Sequence, residues 1–229
     1  MAYLGQYYRT YALDFWGFGE SGRKRPTFAV NDFVSMVDQF MERLGIFRAP
    51  LVGHSMGGTV SLAVAIQHPE RVSKVTVIGS PIVGSSLAVL LKLAGYRLIA
   101  WVVFRSMWAL RMGIRVSAPL ITSEPLWPEM MDRDLSRTTL ESFLLSIASL
   151  RRTDLRPFLN QIAVPAMGMY GDKDVIVHPE QWRPMQEGIS NVRIERFKNA
   201  GHFIMLDEPE TFMHTLKDFL DNEGSTLKL

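Results

Sequence analysis

The chain contains no cysteine in 229 residues. That excludes disulfides, thiolate metal sites and a cysteine nucleophile, and it leaves the redox compartment unread. It also lacks any apolar run long enough to span a bilayer. The nearest approach, residues 98–104, is fenced by Arg97 and Arg105. Residues 1–10 hold no apolar core of a secretion signal, so a cytoplasmic location is the default expectation. A formal net charge of +2 gives no reason to expect a nucleic-acid partner. No Lys-Ser or Lys-Thr follows a glycine-rich stretch, so no P-loop is present. What remains is an ordinary globular composition, 47% hydrophobic and 21% charged, sized for one domain with or without an insert.

The hydrophobic pattern alternates between two periods. Residues 7–13 read as a short buried strand. A loop marked by Gly17, Gly19 and Gly22 follows. Phe33, Val34, Val37, Phe40, Met41 and Leu44 then recur at helical spacing, with Gly45 as the stop. Residues 49–53 and 72–78 read as strands, separated by a small-residue helix over 59–67. After about residue 160 the alternation resumes: strand 166–170, helix 179–187, strand 192–197 and a last amphipathic helix over 211–220. Such β-α-β alternation predicts an α/β fold, a mostly parallel sheet flanked by helices. The stretch between shows helical patterns and no strand. The predicted organisation is a core formed by residues 1–80 and 161–229, with a helical cap or lid over 81–160.

One motif carries chemistry. Gly53-His54-Ser55-Met56-Gly57 fits G-x-S-x-G and lies between a predicted strand and a predicted helix. So tight a turn forces its serine into a strained conformation, and small residues at positions 53 and 57 are expected to prevent collisions. The reward is an exposed Oγ at a helix N-terminus, with the N–H of Met56 placed to donate to an oxyanion. A serine nucleophile needs a base, and the base needs a carboxylate. Of the five histidines, His202 lies in the loop after the last strand. His54 sits inside the turn and is expected to point away from Oγ. His68 reads as a capping or surface residue, and His178 and His214 border or lie within late helices. Asp172 and Asp174 both follow strand 166–170. Asp174, further into the loop, is the preferred partner, while Asp172 suits a turn cap.

At this point the sequence resembles the α/β-hydrolase family over nearly its whole length. Four blocks match in order: residues 13–21, the elbow at 53–58, the acid loop at 171–174 and Gly201-His202. The resemblance implies Ser55 as nucleophile, Asp174 as acid and His202 as base. A serine nucleophile points to ester, thioester or related acyl chemistry; the apolar residues within 81–120 add the expectation of a small lipophilic substrate, and no metal or cofactor is expected. One departure stands out. No His-Gly pair, the family's oxyanion-loop signature, occurs before Ser55. The family also places another strand between those corresponding to residues 7–13 and 49–53. On this reading the chain is N-terminally truncated, lacks a second oxyanion donor and is weakly active or inactive alone, a loss of about a hundredfold to a thousandfold.

Three alternatives stay open. A non-catalytic remnant or binding protein of the same fold would carry the same motifs. Gly17-Phe18-Gly19-Glu20-Ser21-Gly22 also fits the dinucleotide fingerprint G-x-G-x-x-G. Its context fails, because Arg23-Lys24-Arg25-Pro26 follows where a helix should open. Finally, residues 81–120 carry five basic residues and no acidic one: Lys92, Arg97, Arg105, Arg111 and Arg115. That suits a cap over an apolar pocket, with Trp101, Trp108, Trp127 and Met112 in its core or lining. It also suits a peripheral membrane contact.

Overall fold

The structure is a computed structural model that describes residues 3–22, 27–87 and 107–222. Four parallel strands form its sheet, in the order β1 (Ala49–His54), β2 (Val72–Ile78), β3 (Ala166–Gly171), β4 (Val192–Phe197). Parallel strands carry all their C-terminal ends to one rim, and this places the loops after 54, 78, 171 and 197 together.

Burial on both faces follows from side-chain alternation. On β2, Val75 and Val77 join the cluster built with helices α1 (Val30–Arg43) and α2 (Met56–Gln67), while Ile78 faces the opposite layer. On β3, Ala166 and Tyr170 share the first cluster, and Met167 and Met169 share the second with Leu216 and Phe219 of the last helix. Helix α2 lies at the centre of the first layer. Gly58 to Ala65 are all buried, which small and apolar residues on every side permit. α1 buries Phe33 and Val34, and the carboxylate of Asp32 accepts the N–H of Ala29 at 2.7 Å at its start. Gly45, at φ +66, takes the left-handed turn after its end.

Residues 7–13 do not form the expected strand. They run as irregular chain, with Tyr7 and Tyr11 exposed. Tyr11 packs edge-on against Phe40 of α1 at 5.8 Å, and the hydroxyl of Tyr8 donates to Asp221. Aromatic residues that favour strands serve equally to pin a loop on a helix when no neighbouring strand supplies a ladder. Among the described strands, β1 pairs with β2 alone, and Val52 at its centre is exposed.

Between β2 and β3 the described residues form three helices, α3 (Met107–Ile121), α4 (Trp127–Ser136) and α5 (Leu140–Arg152). A bridge between Val83 and Asp154 closes the neck of this insertion. α5 is tied to the core by hydrogen bonds: Ser149 Oγ accepts the N–H of Val30 at 3.1 Å, and Ser142 Oγ donates to Gly17 O at 2.8 Å. No helix among the described residues is long and apolar enough to cross a membrane. Lys92, Arg97 and Arg105 lie outside the described residues. After β3 come α6 (Trp182–Gly188), the short α7 (Ile204–Asp207) and α8 (Pro209–Asp221).

Candidate active site

β1 ends at His54 and α2 begins at Met56, so Ser55 alone makes the turn. Its backbone sits at φ 53 and ψ −122, and among the described residues no other non-glycine has positive φ. Such a conformation costs on the order of 1–3 kcal/mol and persists only where surrounding structure enforces it. Here the N–H of Ser55 donates to Ile78 O at 2.8 Å, so the end of β2 holds the elbow from behind. A Cβ on Gly53 would lie 2.2 Å from the carbonyl oxygen of Gly57 and 2.4 Å from the nitrogen of Gly58. A Cβ on Gly58 would lie 1.9 Å from Ser80 Oγ, whereas one on Gly57 would meet nothing within 4 Å. The steric requirement therefore falls on positions 53 and 58, not on 57 as the motif suggested. The backbone of residues 57 and 58 lies against Gly53, and Gly58 lies against Ser80, while a side chain at 57 would meet open space.

Asp174 is 6% exposed and His202 4%. Nδ1 of His202 lies 2.8 Å from Asp174 Oδ2. The other carboxylate oxygen accepts the N–H groups of Ile176 and Val177 at 2.8 and 2.9 Å. A carboxylate only accepts, so Nδ1 carries the proton and Nε2 is left as the basic nitrogen. Asp172 stands apart, in a surface ion pair with Arg196 at 2.9 Å. Gly79, at φ +53, lets the end of β2 approach this pair. A Cβ there would lie 3.3 Å from His202 Nδ1 and 3.4 Å from Asp174 Oδ2.

His54 reaches the loop that bears His202. Its Nε2 lies 2.9 Å from the carbonyl oxygen of His202 and donates to it, and the two rings are 4.7 Å apart. Burial, and next the neighbouring His202, push its pKa from 6.5 down to about 3, so this imidazole stays neutral. The remaining histidines are elsewhere: His68 beside Glu70 at 3.8 Å, His178 accepting the N–H of Glu180 at 3.3 Å, and His214 within α8.

A family model described as the alpha/beta hydrolase fold matches residues 2–108 and 125–209. The chain belongs to this family. A 2-hydroxy-6-oxononadienedioate/2-hydroxy-6-oxononatrienedioate hydrolase of Paraburkholderia phymatum is 28% identical, over 96% of this chain and 78% of that protein. A 2-hydroxy-6-oxo-6-phenylhexa-2,4-dienoate hydrolase of Comamonas testosteroni is 29% identical, over 85% and 74%. Among solved structures, the enol-lactonase of Burkholderia xenovorans superposes with a TM-score of 0.82 at 25% identity, covering 96% of this chain and 84% of that one. An esterase of Exiguobacterium antarcticum gives 0.79 at 22% identity, over 91% and 80%, a likeness of fold.

In this α/β hydrolase, Met56 and Gly57 open α2, where the N–H groups have no intrahelical acceptor and the helix dipole favours negative charge. Oγ of Ser55 makes no hydrogen bond to a described residue. The helices inserted between β2 and β3 meet this rim through an apolar wall: Ala118, Ile121 and Trp127 pack on Ile176, Phe203 and Leu206. Phe203 stands 5.5 Å from the Trp127 ring and 5.0 Å from that of His54. Trp127 is buried and Met112 is exposed, while Trp101 and the side chain of Trp108 lie outside the described residues. The Gly17–Gly22 loop is filled by protein. A Cβ on Gly17 would lie 2.3 Å from Ser142 Cβ and 2.6 Å from Phe28, and the N–H of Gly17 donates to Gly22 O at 3.0 Å. Among the described residues no group of three or more His, Asp or Glu is arranged to hold a metal ion.

Proposed function

We propose that this α/β hydrolase cleaves a lipophilic ester or related acyl substrate by way of Ser55, His202 and Asp174. The observation that carries the reading is the strained serine at a helix start on the rim where a buried Asp174–His202 pair is already joined. Ser55 Oγ attacks the substrate carbonyl, and His202 Nε2 takes its proton. Asp174 stabilises the imidazolium, with its second oxygen held by two backbone N–H groups so that it cannot swing away. The N–H of Met56 and the α2 N-terminus receive the developing oxyanion. His202 then hands its proton to the leaving group, and water enters by the same route to release the acid. The apolar wall around Phe203 and Trp127 supports an apolar acyl or alcohol portion.

The relatives favour a second reading on the same residues. The substrates in their names contain no ester, so water can split them only at a carbon–carbon bond beside a ketone. Side-by-side assays separate the two. The chain is offered p-nitrophenyl esters and 2-hydroxy-6-oxo-6-phenylhexa-2,4-dienoate, and kcat/KM is compared. Ester turnover with fluorophosphonate labelling of Ser55 supports the first reading. Turnover of the dienoate alone supports the second. Absence of labelling and of both turnovers makes the chain a non-catalytic member of the fold.

A further inference from the structure

Asp207 has no role in the chemistry above, yet it is among the most heavily bonded carboxylates in the structure. Its Oδ1 accepts Thr122 Oγ1 at 2.7 Å, the N–H of Ser123 at 2.7 Å and Ser123 Oγ at 2.9 Å. Its Oδ2 accepts the N–H of Gly201 at 2.8 Å. No cation pairs with it among the described residues. A carboxylate has about four acceptor sites, and neutral donors fill those of Asp207. Burial opposes the charge, but the Ser123, Thr122 and Gly201 bonds outweigh it and hold the carboxyl below its usual range.

The partners give this bonding its meaning. Thr122 and Ser123 directly follow α3, the cap helix whose Ala118 and Ile121 pack above the site. Gly201 directly precedes His202. The two segments also touch at the backbone: a Cβ on Gly201 would lie 2.4 Å from the carbonyl oxygen of Ile121. The end of the cap helix and the loop bearing the base are thus joined by one carboxylate, one oxygen to each. His202 is fixed on both sides of its own backbone, through Gly201 N–H to Asp207 and through its carbonyl to His54.

We propose that Asp207 is a positioning residue that couples the seating of the cap to the placement of His202. The proposal rests on the reading of His202 as the base. When α3 is seated, Thr122 and Ser123 complete the shell of Asp207, and Asp207 holds Gly201. When the cap lifts, the carboxylate loses three of its donors and is free to turn, and the Gly201–His202 peptide loses its anchor. General-base catalysis requires the imidazole within hydrogen-bond reach of Oγ, so a small displacement slows the reaction before any contact with substrate changes. Cap closure and assembly of the catalytic group are then one event.

The test uses Thr122→Val with Ser123→Ala, which removes two donors on the cap side and leaves the His202 loop untouched, alongside Asp207→Asn. Two readouts are taken on the full chain: amide hydrogen exchange at Gly201, and the rate of Ser55 phosphonylation by a fluorophosphonate. Coupling predicts that the cap-side double variant raises exchange at Gly201 about tenfold. It also predicts that the variant slows phosphonylation by a similar factor, with ester kcat falling while KM stays nearly constant. Asp207→Asn goes further in each. Wild-type exchange at Gly201 in the double variant overturns the proposal, as does a rise in KM at constant kcat, the mark of a merely loosened cap. Should Asp207→Asn fail to fold, the double variant decides alone. Should the wild type resist phosphonylation, the ester-hydrolase reading fails, and exchange at Gly201 still decides whether cap and loop are coupled.

Discussion

The Nε2–H of His54 bonds the carbonyl oxygen of His202 across 148 positions of sequence, and the two imidazoles lie 4.7 Å apart. Burial, and next the His202 ring beside it, hold the pKa of His54 at about 3 and keep its imidazole neutral. The unfolded chain binds a proton at this side chain near pH 6.5, whereas the folded chain resists it until about pH 3. Stability therefore falls as the pH drops through that window, by at most ~1.4 kcal/mol per unit from this group. Urea unfolding at pH 7, 6 and 5 measures the slope. His54→Gln, which keeps an N–H donor but cannot titrate, is expected to flatten it.

The glycines of the elbow are predicted to differ. Gly58→Ala sets a methyl against Ser80 Oγ, and Gly53→Ala sets one against the backbone of residues 57 and 58. Each is expected to cost about 2 kcal/mol or more, as overpacking against backbone does. Gly57→Ala has open space and gains helix propensity, so its midpoint in denaturant should stay within ~1 kcal/mol of the wild type. Equal losses at all three positions would contradict the geometry.

Ser55 stores strain that a stability measurement can read. Ser55→Ala keeps a Cβ at φ 53 and retains the penalty. Ser55→Gly releases it and is expected to be about 1 kcal/mol more stable than the alanine variant at equal loss of labelling. Thermal unfolding of the pair provides the comparison.

The two acid-loop aspartates provide a paired control. Asp174→Asn replaces the acceptor at 2.8 Å from Nδ1 with a group able to donate, and this favours the wrong tautomer of His202. A fall in kcat of roughly a thousandfold or more is expected. Asp172→Asn breaks only a surface pair with Arg196 and should leave turnover within about twofold.

Much of this arrangement was readable in the residues themselves. The β-branched run at Val72–Ile78 and the alternating run at Val192–Phe197 are strands over the residues read as such, because each is bounded by loops or turns. Gly45 marks the end of α1, since few other residues tolerate its φ. Residues 7–13 misled because tyrosine and leucine serve a strand or a pinned loop alike, and only the presence of a neighbour decides. His54 and Asp207 stayed silent for a different reason. Their partners lie 148 and 85 positions away, at His202 and Thr122, and no local period records such a pairing. The motif flagged glycine at 53 correctly, but the demand at 58 comes from Ser80, which only folding brings near.

Strands that all run the same way divide the molecule into a working end and an idle end. Reactive groups crowd where the strands finish. Where they start, the chain offers Phe47, 73% exposed, in the short connection that enters β1. A dye, a surface tether or an affinity handle attached there would hold the protein by its far side. The mouth of the catalyst would face the solution, and immobilised and free forms should turn over alike.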